Sequence, residues 1–198
     1  MNDEDYAKEQ IRRSRSKPRR LIKHFYVKAV LSQVSGATLD VGCGAGQILE
    51  RLPSGSLGLE SNEHLVSHLC NQGLPCRLFN LSEGVGPEEL FGSGQFQSIV
   101  LSHVLEHFPS AMRMLRKLLE IAGDHGPLER VLIIVPTERG YASDATHKTF
   151  VSLKAIEAEG LQKTSHFELR SAKYFPLNQS WLGPHFAYHE LHLLWTRR

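Results

Sequence analysis

Short apolar runs alternate along the chain with stretches in which apolar residues recur every three or four positions. The runs are ATLDVG (37–42), LGLE (57–60), PCRLFN (75–80), FQSIVLSHV (96–104) and ERVLIIVP (129–136). Their length and branched apolar content predict buried strands. The helical stretches are LIKHFYVKAVLSQV (21–34), QILERL (47–52), NEHLVSHLCNQG (62–73), SAMRMLRKLLEIAG (110–123) and FVSLKAIEAEG (150–160). Pro18 is expected to precede the first helix and Gly36 to end it. Asn62 and Ser110 are expected as N-caps, and Pro53 and Gly73 as stops. The stretch 81–94, rich in glycine and acid, reads as a loop with one helical turn. Two more strand candidates, 163–172 and 187–198, have no convincing helix between them and are expected to pair as an antiparallel hairpin at a sheet edge. The alternation predicts an α/β fold: a doubly wound, mostly parallel sheet of seven strands with helices on both faces.

Composition narrows the setting. A chain of 198 residues suits one domain and can bury a core without disulfides or metal. No apolar run reaches the ~18 residues of a membrane span, and the first 20 residues lack the apolar stretch of a secretory signal. Cys43, Cys70 and Cys76 are odd in number and form no CxxC, so they are expected as reduced thiols of a cytoplasmic protein. The net charge of +2 says little about partners, but its placement is uneven: RRSRSKPRR (12–20) holds six basic residues and no acid. It reads either as a solvated terminal segment or as an arm for phosphates. No aromatics are interleaved with it to stack bases. Residues 1–20 are therefore expected as a basic, flexible arm, and 21–198 as a single domain.

The chemistry begins at LDVGCGAGQILE (39–50), where a strand turns into the next element through three glycines. Ligands of such sheets bind outside the carboxyl ends of the strands. The spacing excludes a dinucleotide fingerprint, because the third glycine of G-x-G-x-x-G would fall on Gln47 or Leu49. A G-x-x-x-x-G-K-[ST] phosphate loop is absent as well. Glu60 closes the second strand, 18 residues beyond Gly42, where a carboxylate can accept two hydrogen bonds from a ribose diol or cap the following helix.

D-x-G-x-G-x-G here resembles motif I of the class I S-adenosylmethionine-dependent methyltransferases. SHVLEHF (102–108) is similar to that family's segment after the fourth strand, VLIIVP to its fifth strand, and THKTF with the following helix and EGL to its sixth segment. The resemblance runs from about residue 31 to 169. It implies a Rossmann-like fold and S-adenosylmethionine as cofactor. It also implies roles. Asp40, Gly42, Cys43, Gly44 and Gly46 would line the methionine part, and Glu60 would hold the ribose with Ser61 and Asn62 beside it. Asn80 would stand where an aspartate often meets the adenine amine, and Ser102 and His103 would face the cofactor.

Methyl transfer from a sulfonium is an in-line displacement, favoured by holding nucleophile and methyl close together. A hydroxyl nucleophile would also use a base, for which His107 and His147 are the candidates; either could instead be structural. His185, His189 and His192 invite a zinc reading, but strand parity points His192 away from the other two, so no metal is expected. The aromatics Tyr174, Phe175, Trp181, Phe186 and Tyr188 could lid a substrate pocket or serve as core. The expected activity is methyl transfer to a small molecule, at oxygen. RNA or protein is the alternative acceptor, and a non-catalytic cofactor-binding module is a third reading.

Overall fold

The computed structural model describes residues 3–14, 17–81, 90–92 and 94–198, with backbone alone in the stretch 13–23. Most of the expected loop at 81–94 therefore lies outside the described residues. Seven strands form one sheet in the order β3-β2-β1-β4-β5-β7-β6. They are β1 (Thr38–Val41), β2 (Leu57–Glu60), β3 (Cys76–Leu78), β4 (Ser98–Ser102), β5 (Arg130–Pro136), β6 (Phe167–Phe175) and β7 (Glu190–Arg197). The first five are parallel, and β7 runs antiparallel to both β5 and β6. The expected doubly wound sheet with an antiparallel edge hairpin is the sheet observed.

The longest apolar runs became the central strands because both of their faces are covered. Ile99, Leu101, Val131, Ile133 and Val135 point into the larger core, with Leu115, Leu118 and Leu119 of helix α4 (Ala111–Asp124). The alternate residues Val100, Leu132 and Ile134 point to the opposite face, against Val30 of α2 (Lys17–Leu31). Hence both faces of β4 and β5 read as apolar, as in a parallel sheet with helices on each side. On β7, Trp195 is fully buried and its indole N–H donates to the Leu161 carbonyl at 2.8 Å. Arg197 next to it donates to the carbonyls of Ala122, Gly123, His125 and Leu128, closing the C-terminal end of α4 with a cation.

Helix signals held in part. Asn62 caps α3 (Glu63–Asn71), its side-chain oxygen accepting from the His64 and Leu65 amides, and Gly73 ends it at φ +76°. Ser152 caps the short helix α6 (Leu153–Ala158) by accepting from the Ala155 amide. Ser110 precedes α4 but makes no capping bond. QILERL is not a helix: only a 3₁₀ turn forms, Leu49–Arg51. Six residues lie between Gly46, itself at φ +77°, and Pro53. Pro53 ends the stretch, and a single 3₁₀ turn fits before it. A five-residue helix α5 (Glu138–Ala142), not expected from the pattern, follows β5.

Two helices begin within the described part of the first 20 residues. Asp3–Ser14 forms α1, and α2 starts at Lys17 with Pro18 in its first turn. The boundary expected at residue 20 thus falls inside α2. The Asp3 carbonyl accepts from the Asn62 side chain at 2.9 Å, which docks α1 on the cap of α3.

Asn62 therefore serves two elements at once. Asn62→Ala should lower the unfolding free energy by about 1–2 kcal/mol, read as a reduced denaturation midpoint at unchanged m value.

Candidate functional site

The strand register brings three chain segments to one edge. Asp40 pairs with Val100 and Val41 with Leu59, so the carboxyl ends of β1, β2 and β4 lie side by side. The glycine turn leaves β1 here. Gly42, Gly44 and Gly46 all have positive φ, between +54° and +77°. A Cβ on Gly42 would sit 2.5 Å from Val104, and one on Gly46 2.5 Å from Leu69. Only Gly44 opens to free space. The amides of Gly42 and Cys43 both donate to the Leu59 carbonyl, at 2.7 and 3.1 Å, pinning the turn to the next strand.

Glu60 fixes the other side. Its Oε2 accepts from the Gly44 amide at 2.9 Å, and its Oε1 accepts from the Ser61 and Asn62 amides at 2.8 and 2.9 Å. It does not cap α3, which is Asn62's task. Asp40 is 1% exposed, and its Oδ2 has no hydrogen-bond partner. Burial, and then the like charge of Glu60, push its carboxyl up to about 7, against a bond from the Leu49 amide.

These residues open into one cleft of about 1670 Å³. Asp40, Gly42, Cys43, Gly44, Glu60, Ser61 and Asn62 line one end, with Asn80 and Phe79 beyond β3. Ser102, His103 and His107 line the floor beyond β4. Gly46 is not among the lining residues and works as the tight turn behind it. His147 is not among them either; its neighbours Thr146 and Lys148 are. Asp3, Tyr6 and Gln10 of α1 form part of the wall, so the N-terminal helix lies against the cleft.

The floor carries a charge network. His103 has φ +57°, a left-handed conformation uncommon for a side chain outside Gly, Asn and Asp. This turns its ring between two carboxylates: Nδ1 lies 3.2 Å from Glu106 Oε1 and Nε2 3.0 Å from Glu190 Oε1. Burial alone would lower its pKa, but the Glu190 charge and the hydrogen bonds it donates to both glutamates outweigh that and hold it up at about 10. Glu190 goes the other way, to about 2, because the His103 charge more than offsets its burial. Tyr26 of α2 closes the network with a short hydrogen bond between its hydroxyl and that of Ser102.

Glu106, Glu190 and Tyr26 were not singled out in the sequence. Glu106 had a signal, an acid inside LEHF, and so had Glu190, an acid between two histidines; Tyr26 had none. The histidines 185, 189 and 192 do not converge. His189 is held between the Thr137 hydroxyl and the Leu177 carbonyl, each 3.2 Å away, and His192 accepts from Gln33 at 2.9 Å. A different set does: one ligand atom each of Glu106, His107 and His147 lie within 4.8 Å of one another.

No family model matches the chain, and no curated protein matches its sequence. Solved structures match its fold. A magnesium protoporphyrin IX methyltransferase of Synechocystis PCC 6803, solved with bound SAM, superimposes with a TM-score of 0.59 at 14% identity, over 89% of this chain and 81% of its own. This is the class I methyltransferase fold. The methyltransferase fold recurs in an S-adenosylmethionine-dependent methyltransferase of Clostridium acetobutylicum ATCC 824, with a TM-score of 0.61 at 11% identity over 93% of each chain. It also recurs in the small RNA methyltransferase HEN1, with a TM-score of 0.62 at 13% identity over 92% of this chain and 26% of that one.

Glu60→Gln replaces a carboxylate oxygen with an amide facing a backbone N–H. It should cost about 1–3 kcal/mol of stability. It should also bring the Asp40 carboxyl below its value of about 7, read by ¹³C-detected NMR titration.

Proposed function

We propose that the protein is a methyltransferase that takes its methyl group from S-adenosylmethionine and passes it to oxygen on a small molecule. The observation that carries this reading is the link between the Gly44 amide and the Glu60 carboxylate at the carboxyl edge of β1 and β2, in a chain with the class I methyltransferase fold.

The residues fit the cofactor's parts. Glu60 accepts three backbone amides, and its Oε2, which takes only the Gly44 amide, keeps a lone pair for a ribose hydroxyl. Asp40, with a buried oxygen lacking any partner, suits the ammonium of the methionine end. Gly42 and Gly44 put no side chain in the way of that end, and Cys43 directs its thiol to Cys76. Ser61 and Asn62 flank the ribose, and the Asn80 amide can meet an adenine edge. Ser102 and His103 face the reacting centre. The cleft exceeds the ~300–1,000 Å³ of a single-ligand pocket, so it has room for an acceptor beside the cofactor. His107 lies on the acceptor wall with His147 behind it, and holding the acceptor in line there supplies much of the rate.

The basic run 12–20 supports a second reading, in which the acceptor is RNA; a protein acceptor has no comparable support. Replacing Arg13, Arg15, Arg19 and Arg20 by Gln would abolish salt-sensitive RNA binding under that reading and leave small-molecule turnover intact under the first.

Calorimetric titration with S-adenosylmethionine and its demethylated product tests the cofactor. Micromolar binding lost in Glu60→Ala is expected; a folded protein that binds neither would end the reading. Affinity should also depend on pH. The Asp40 carboxyl must be ionised to hold an ammonium, and its pKa is about 7. Binding should therefore be several-fold weaker at pH 6 than at pH 7.5, and Asp40→Asn should flatten the profile. His107→Ala and His147→Ala should keep cofactor affinity and cut turnover at least tenfold.

A further inference from the structure

Glu106, His107 and His147 form a cluster that the cofactor reading does not use. Glu106 is fully buried, and its Oε2 has no hydrogen-bond partner. The hydrogen bonds around the two histidines fix which ring nitrogen carries the proton. His147 Nδ1 lies 2.8 Å from the Tyr141 carbonyl, which can only accept, so Nδ1 is the donor and Nε2 keeps its lone pair. That lone pair lies 3.9 Å from Glu106 Oε1.

His107 follows the same logic through one more link. The Thr146 hydroxyl donates to Asp144 at 2.6 Å. At His107 Nδ1, 3.2 Å away, Thr146 must therefore accept, and His107 Nε2 keeps its lone pair too. The rings of His107 and His147 stand 4.9 Å apart, and Tyr141 stacks on His147. One ligand atom of each histidine thus converges with Glu106, whose Oε1 also meets His103 Nδ1. Glu106 Oε2 is the oxygen left without a partner, and a cation at the centre of the set would supply one.

We propose that Glu106, His107 and His147 bind a divalent metal ion, with open coordination positions facing the acceptor side of the cleft. The ligand atoms lie within 4.8 Å of one another, against the roughly 3–3.5 Å set by metal–ligand bonds of about 2.1 Å. Closing that gap takes a small shift of the His107 ring, which is only half-buried. Two imidazoles and one carboxylate suit Zn²⁺, Mn²⁺ or Fe²⁺ rather than Mg²⁺ or Ca²⁺. The Tyr141 carbonyl and the Thr146–Asp144 pair are the outer partners that hold metal-binding imidazoles in one orientation. Three protein ligands leave room for acceptor oxygen, as in catalytic rather than structural sites.

The site deepens the methyltransferase reading and rests on it for its role. The acceptor class it selects is a hydroxyl that can ligate the ion. Ligation lowers the hydroxyl's pKa and releases its proton to solvent. The oxygen then attacks the methyl carbon. The oxygen–carbon bond forms as the carbon–sulfur bond breaks, and the electron pair of that bond neutralises the sulfonium to a thioether. His107 and His147 act here as ligands, not as bases.

The test is titration of the full chain with ZnCl₂ by calorimetry and with MnCl₂ by electron paramagnetic resonance, both without cofactor. One equivalent should bind at micromolar Kd, and His107→Ala, His147→Ala and Glu106→Gln should each weaken it at least tenfold. His107→Ala is the safest variant, since its ring is half-buried. No saturable binding, or binding that folded variants leave unchanged, overturns the proposal. Titration of the same sample with S-adenosylmethionine separates the two ideas: loss of cofactor binding alone sinks the methyltransferase reading and leaves the metal site standing.

Discussion

Three backbone amides converge on the carboxylate of Glu60: Gly44 from the glycine turn, and Ser61 and Asn62 from the start of α3. This is the contact on which the cleft depends. A turn with three left-handed glycines has few side chains to hold it, and each glycine loses more conformational entropy on folding than any other residue. The Glu60 carboxylate and the Leu59 carbonyl supply the fixed partners that an unsupported turn would lack. The same arrangement sets two carboxylates close together, and the repulsion falls on Asp40, which is buried and has an unpartnered oxygen. An anionic pocket poised near neutral pH, walled by bare backbone, is the physical signature of a site for a cationic, hydroxyl-bearing ligand.

The antiparallel strand completes the other half of the cleft. Because β7 runs against β5, its first residue, Glu190, pairs with Pro136 at the carboxyl edge where the parallel strands end. Glu190 can therefore reach His103, 87 positions earlier in the chain. A parallel strand in that place would have presented its carboxyl end there and left His103 with Glu106 alone. Glu106 Oε1 meets His103 Nδ1 at 3.2 Å and lies 3.9 Å from His147 Nε2, while its Oε2 has no partner. The edge hairpin thus sets the electrostatics of this end of the cleft.

Much of this was legible in the residues, and the boundary between what was and was not follows contact range. The strands read clearly because burial on both faces demands continuous apolar runs, as in VLIIV, and Asn62 and Gly73 read clearly because caps are local. Glu60 was legible through its distance from the glycine turn. Ser110 misled, since a capping residue type does not ensure the bond, and QILERL misled, since its apolar spacing does not tell an α-helix from the single 3₁₀ turn that forms. The arrangement of α1 against the cleft was invisible, because it rests on a bond from Asn62 to a backbone carbonyl that any residue at position 3 could supply. The tautomers of His107 and His147 were equally hidden, depending on Tyr141, Thr146 and Asp144 in the folded loop.

The central claim is that the glycine turn and the end of β2 together receive the cofactor. Backbone amide NMR during titration with S-adenosylmethionine tests it most directly. The account predicts the largest shift changes at Gly42, Gly44, Ser61 and Asn62, saturating together with one dissociation constant. Saturable changes centred elsewhere in the sheet, with these four amides unmoved, would contradict it.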